Sequence, residues 1–144
     1  MLLATQTETM SPETFAIYFS CFSGHMVEYK GVLYTTAEHA YHSQRYEDPI
    51  IVEEIKGARS AYLAWKISQK YKAQQIEGFD ENKLSVMEQI FRAKLDQHED
   101  VKRALVESGD SIILKNHQLD YFWGTGADGT GRNEMGKLWM KLRE

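Results

Sequence analysis

Cysteine is nearly missing from this chain. Cys21 stands alone among 144 residues, which excludes an internal disulfide and suits a reducing compartment. Proline is scarce, with Pro12 and Pro49 only, and no repeat, low-complexity tract or interdomain linker breaks the sequence. No apolar run approaches the length of a membrane span, and the opening MLLATQTETM has no basic n-region, so no signal peptide is expected. Basic excess is absent as well: 17 basic residues against 21 acidic ones give a net charge of −4, unlike a dedicated nucleic-acid binder, although a local basic groove remains compatible. Signatures of several chemistries are lacking. There is no H-E-x-x-H, no partner for Cys21, no G-x-S-x-G elbow and no Gly-Lys-Ser/Thr phosphate loop. His39-x-x-His42 is the one spacing that could ligate a metal, and without carboxylates known to lie opposite it no metal or cofactor is expected. What remains is a single cytoplasmic domain, 1–144, long enough to bury a core, with residues 1–13 as a loose lead-in.

What is present concentrates in Leu119–Asn133, LDYFWGTGADGTGRN, which holds Asp120, three adjacent aromatics and glycines at 124, 126, 129 and 131. Glycines permit positive φ and close approach of backbone to a ligand. Asn133 is a good N-cap for a helix with Met135, Leu138, Trp139 and Leu142 on one face. A glycine loop feeding a helix N-terminus suits an anion, because free N–H groups and the helix dipole point the same way. A solvent-facing surface turn is the alternative. GTGADG fits G-x-G-x-x-G, but no apolar strand precedes it and too little chain follows for a βαβ unit, so a dinucleotide site is rejected.

The rest reads as mainly helical with a small β component, an α+β domain of about six helices and a short hairpin. Phe15–Phe22 is aromatic-rich and reads as a strand or extended piece. Met26–Tyr29 and Val32–Tyr34 alternate about Lys30-Gly31, as a hairpin does. Thr35-Thr36-Ala37-Glu38 opens a helix that runs to about Glu47, and Asp48-Pro49 starts another that ends near Gly57. A third covers Ser60–Lys70 with Trp65 expected in the core. Asp80 is expected to cap a helix over Glu81–Leu95, and Gly109 to close one over Asp100–Ser108. Ser111–Lys115 reads as a short buried strand.

Two polar residues need a reason. Glu38, His42 and Arg45 recur at i, i+4, i+7, which places an acid, an imidazole and a guanidinium on one helix face. Thr35-x-x-Glu38 is also a capping box, in which Glu38 would only bond the Thr35 N–H. On the 81–95 helix, Leu84, Met87, Ile90, Phe91 and Leu95 form an apolar stripe of roughly 140°, and Lys94 falls inside it. Its stem could cover apolar surface with the head in water, or its amine could enter a pocket. Two carboxylates, Glu38 and Asp120, with aromatic surfaces and an anion-friendly loop suit cleavage of a nucleotide-like N-glycosidic bond.

The same residues resemble the NADAR family from Phe15 to Arg143. Phe19-Ser20-Cys21-Phe22 is similar to its FSNF; Gly31 and Thr36-x-Glu38-His39 to its G-x-x-aromatic-x-Ser/Thr-x-Glu-His segment; Met87 and Lys94 to its central helix. Asp120-x-x-Trp123-Gly124-x-Gly126, Gly131-x-Asn133-x-x-Gly136 and Met140-x-x-Arg143 complete the set. The resemblance implies a hydrolase of N-glycosidic bonds. Its substrate would be a phosphorylated ribosylamine of the riboflavin-intermediate type, or ADP-ribose on guanine, with ADP-ribosylated nucleic acid then a partner. It implies Glu38, Asp120 and Lys94 as catalytic, and Phe19, Ser20, Cys21, Arg45, Phe79, Trp123, Gly124, Gly126 and Asn133 as substrate contacts. A non-catalytic ADP-ribose or nucleotide-binding module and an NAD-directed glycohydrolase are the alternatives. Departures from the family pattern fall at Cys21 for asparagine, Phe79 for tryptophan, Arg45 for lysine and Lys115 for glutamate, and they bear on the substrate more than on the reaction.

Overall fold

The structure is a computed structural model that describes residues 8–144. The described chain forms two compact units, residues 21–99, and residues 8–20 together with 100–144.

Residues 21–99 begin with the hairpin. Strand β1 (Val27–Tyr29) pairs antiparallel with β2 (Val32–Tyr34) in the register Val27 to Tyr34 and Tyr29 to Val32. Lys30 and Gly31 both take positive φ, 51° and 80°, the twist that a two-residue turn between right-twisted strands requires. Helix α2 (Ala37–Ser43) is buried along its whole length. Its N-cap is Thr36, whose Oγ1 accepts the His39 N–H at 3.2 Å. The capping box expected from Thr35 therefore does not form, and Glu38 is free of that duty. Helix α3 (Pro49–Lys56) starts at Asp48, whose carboxylate takes the Ile50 N–H, with proline in the first turn. Helix α4 (Ala61–Lys70) is capped by Ser60. Tyr46, Ile51, Ile55 and Ala64 form a core cluster beneath these helices. Trp65, expected inside, is 41% exposed beside Tyr62; the buried face of α4 is carried by small residues, Ala61, Ala64 and Ser68, which let the helices approach closely.

Helix α5 (Phe79–Gln97) packs on β1 and α2. It starts earlier than the sequence suggests: Gly78 is the N-cap at φ 84°, so Asp80 lies within the first turn and not at its cap. Met87, Ile90 and Phe91 are its buried apolar face. Each such side chain contributes about 1.5–3 kcal/mol by leaving water.

The other unit opens with residues 8–13, which are not a loose lead-in; positions 1–7 lie outside the described residues. Thr9 bridges Ile112 in parallel, and Met10 is buried. Helix α1 (Pro12–Thr14), capped by Ser11, runs into a π-helical turn over Phe15–Phe19. The strand expected at 15–22 is replaced by this turn because Phe15 and Phe19 then bury together, with the Ser20 N–H returned to the Phe15 carbonyl at 2.9 Å. Helix α6 (Glu99–Glu107) is followed by Gly109 at φ 58°. Residues 111–115 make one bridge and bury Ile113 without forming a strand. Helix α7 (Glu134–Arg143) buries Met135, Leu138 and Trp139. The Trp139 indole donates to the Phe19 carbonyl at 2.9 Å with the two rings edge to face, and Arg143 ties down Ser108 and the Ser111 carbonyl. No described helix is long and apolar enough to cross a membrane.

Candidate active site

The residues expected to act in 21–99 assemble on α2 and α5. Arg45 Nε donates to His42 Nδ1 at 3.0 Å, so that nitrogen carries a lone pair, because a guanidinium has only donors. The proton of the neutral ring then sits on Nε2, which donates to Glu38 Oε1. Among the described residues the other carboxylate oxygen, Oε2, takes no hydrogen bond, and the Glu38 side chain is 12% exposed. Arg45 is buried rather than presented to a substrate. Its Nη1 donates to Gln75 at 2.6 Å, its Nη2 to the Tyr41 hydroxyl, and its plane lies over the Phe79 and Tyr41 rings at 4.8 and 5.0 Å. Phe79 thus serves as a bed for Arg45. Burial raises the Tyr41 phenol well above its usual value, so it stays neutral. His39 donates from Nε2 to the Ala58 carbonyl and meets Thr36 through Nδ1, so both nitrogens of both imidazoles are engaged by protein groups.

Residues 21–25 run alongside. The Cys21 carbonyl accepts the Glu38 N–H at 3.1 Å, while its buried thiol points to the Met87 sulfur at 3.6 Å. Lys94 is 0% exposed, which excludes a head reaching for water. Its Nζ donates to Ser23 Oγ at 2.6 Å, and that hydroxyl meets His25 Nδ1 at 2.8 Å. Neither Ser23 nor His25 was singled out by the sequence, although both sit within four residues of Cys21.

In the other unit the glycine loop closes on itself. The N–H groups of Arg132, Asn133, Glu134 and Met135 donate to the carbonyls of Tyr121, Gly124, Phe122 and Trp123. The start of α7 is therefore occupied by the loop, and the anion cradle expected there is not available. Asn133 stands at the N-cap position with φ 51°, but its side chain does not cap; it donates to the Ile113 carbonyl and accepts the Lys115 N–H, both at 2.9 Å. Gly124 and Gly126 are buried. A Cβ at Gly126 would lie 2.2 Å from the Tyr121 ring, so the glycines admit the chain's own atoms. Trp123 is half-buried, edge-on to Phe122 at 4.8 Å. Ser20 closes the π-helical turn, and Phe19 is a core ring at 0% exposure.

Asp120 holds this loop. Oδ1 accepts the Phe122 and Trp123 N–H groups at 3.2 and 2.8 Å, and Oδ2 the Lys115 ammonium at 2.9 Å. Burial opposes its ionisation, but the Lys115 charge and hydrogen bond, with both backbone donors, outweigh that and leave the carboxyl below its ordinary value. A depressed value means stability present above the unfolded value of 3.8 and lost as pH falls through the folded one. Asp120→Asn is therefore expected to lower the urea midpoint at pH 7, with the gap to the parent narrowing as the pH drops below 3.8. A gap that does not change with pH would contradict the ion pair.

A family model described as the NADAR domain matches residues 6–144. A riboflavin biosynthesis protein of Vibrio vulnificus is 32% identical over 79% of the chain, which spans only 31% of that protein's length. The N-glycosidase YbiA of Escherichia coli is 29% identical over 88% of the chain and 79% of its own length. An N-glycosidase of Nostoc punctiforme is 30% identical, with 88% and 83% covered. The NMR structure of E. coli YbiA matches with a TM-score of 0.84 at 26% identity, covering 96% of this chain and 85% of that one.

Proposed function

The chain belongs to the NADAR family, and from that premise we propose that it hydrolyses the N-glycosidic bond of a phosphorylated ribosylamine of the riboflavin-intermediate type. N-glycosidic hydrolysis as a class is what its relatives are named for along about four-fifths of their lengths. The riboflavin naming of the Vibrio relative supports the finer substrate. On the chain itself, one observation carries the reading: a carboxylate, Glu38, buried on α2, oriented through Oε1 by His42, with Oε2 unengaged.

Glu38 Oε2 takes a proton from water as the water oxygen bonds to ribose C1. The C1–N bond breaks, its electron pair stays on nitrogen, and the proton passes to that nitrogen. The products are the free amine and a ribose phosphate. Lys94 completes the site from α5. Asp120 holds the loop that carries Trp123, a half-buried ring of a kind on which a base can stack.

Chromatography of a ribosylaminopyrimidine phosphate incubated with the protein tests this. Free aminopyrimidine and ribose phosphate are expected. Binding without release would favour a binding module, and release only from ADP-ribosylated guanine would move the substrate. Trp123→Ala is expected to weaken binding by about 1–3 kcal/mol, as a lost base–aromatic stack does, with the fold intact by circular dichroism. Loss of the fold would make Trp123 a packing residue.

A further inference from the structure

We infer that His42 is a positioning residue for Glu38, held in its working tautomer by Arg45. This rests on Glu38 being the catalytic carboxylate proposed above. An imidazole rotated or protonated otherwise would present a lone pair to the carboxylate, or two donors to Arg45 and Glu38. The Arg45 Nε–H at 3.0 Å fixes the choice, since it needs an acceptor at Nδ1 and so leaves the hydrogen on Nε2. Arg45 cannot turn away easily. Phe79 and Tyr41 cover its plane, and Gln75 and the Tyr41 hydroxyl take its other two nitrogens. His42 is 2% exposed, so water does not replace its hydrogen bond. The chain of contacts therefore runs from a fixed guanidinium through one imidazole to one oxygen of Glu38. It commits Oε1 and aims Oε2 at the reacting water. His42 touches no substrate in this scheme; it acts by orientation.

The experiment compares His42→Phe and His42→Gln in steady-state kinetics on the ribosylamine substrate, with Glu38→Gln alongside and thermal midpoints for all. Phenylalanine fills space without a donor; glutamine restores an N–H that can reach Glu38. His42→Phe is expected to lower kcat about 10- to 100-fold with KM nearly unchanged, the worth of one hydrogen bond to a charged group, and His42→Gln to recover most of that. Equal loss in both variants, loss confined to KM, or unchanged kcat in His42→Phe would overturn the inference. Should His42→Phe not fold, nitrogen-15 NMR of the parent protein decides. A protonated Nε2 and bare Nδ1 at neutral pH support the inference, and the opposite tautomer overturns it. If Glu38→Gln keeps full turnover, the proposed function falls instead; if Glu38→Gln is dead and His42→Phe is not, only the positioning role falls.

Discussion

Glu38→Gln is expected to reduce turnover by roughly 10²–10⁴-fold while the protein stays folded and still binds substrate. The substitution keeps size and a hydrogen-bond acceptor for His42 Nε2, so the imidazole loses little. It removes the group that accepts the proton of the attacking water. Stability is not the issue, because Thr36 and not Glu38 caps α2, and the Glu38 backbone bond to Cys21 survives the change. Single-turnover base release with a parallel binding titration checks both halves. Full turnover in the variant, with wild-type affinity, would remove Glu38 from the chemistry.

Lys94→Met is expected to give a folded protein with turnover down by at least about 10²-fold. Methionine keeps the unbranched stem between Met87 and Ile90 and drops the amine that meets Ser23. Burying an amine carries a desolvation cost that a thioether does not, but its removal also leaves Ser23 Oγ short of a partner, so a modest fall in the thermal midpoint is expected. A buried polar head kept at such a cost points to use rather than packing. Borohydride added during turnover separates two roles for the amine. A stable adduct on Lys94 requires an imine to the opened sugar, whereas its absence in an active protein leaves Lys94 as a ligand for substrate oxygens. Wild-type turnover in Lys94→Met would assign the lysine to structure alone.

Much of the fold was legible where the signal is local. The alternation of Val27, Tyr29, Val32 and Tyr34 about Lys30-Gly31 specifies the hairpin, and Asp48-Pro49 and Ser60 mark the starts of α3 and α4. Local signals also misled. Asn133 has the chemistry of an N-cap, yet its partners lie twenty and eighteen residues back, at Ile113 and Lys115, and nothing in its neighbourhood announces them. The glycine loop looked like a cradle for an anion because its N–H groups seemed unclaimed; the carbonyls of 121–124 claim them. The aromatic content of Phe15–Phe22 suggested an extended piece, although Phe15, Tyr18, Phe19 and Phe22 also recur at helical spacing, and a π-helical turn over Phe15–Phe19 forms instead. At the site, helical spacing placed Glu38, His42 and Arg45 on one face. It could not tell that Arg45 turns inward onto Phe79, or that His42 would stand between guanidinium and carboxylate. Lys94 was visible as a charge in an apolar stripe, but Ser23, its partner, lies 71 residues away.

The most direct test is a crystal structure of Glu38→Gln with the uncleaved ribosylamine phosphate bound. The ribose C1 is expected to face residue 38, with a water between them in line with the C1–N bond and within hydrogen-bond reach of the side chain. A substrate whose C1 lies away from residue 38, with another group holding the water, would contradict it.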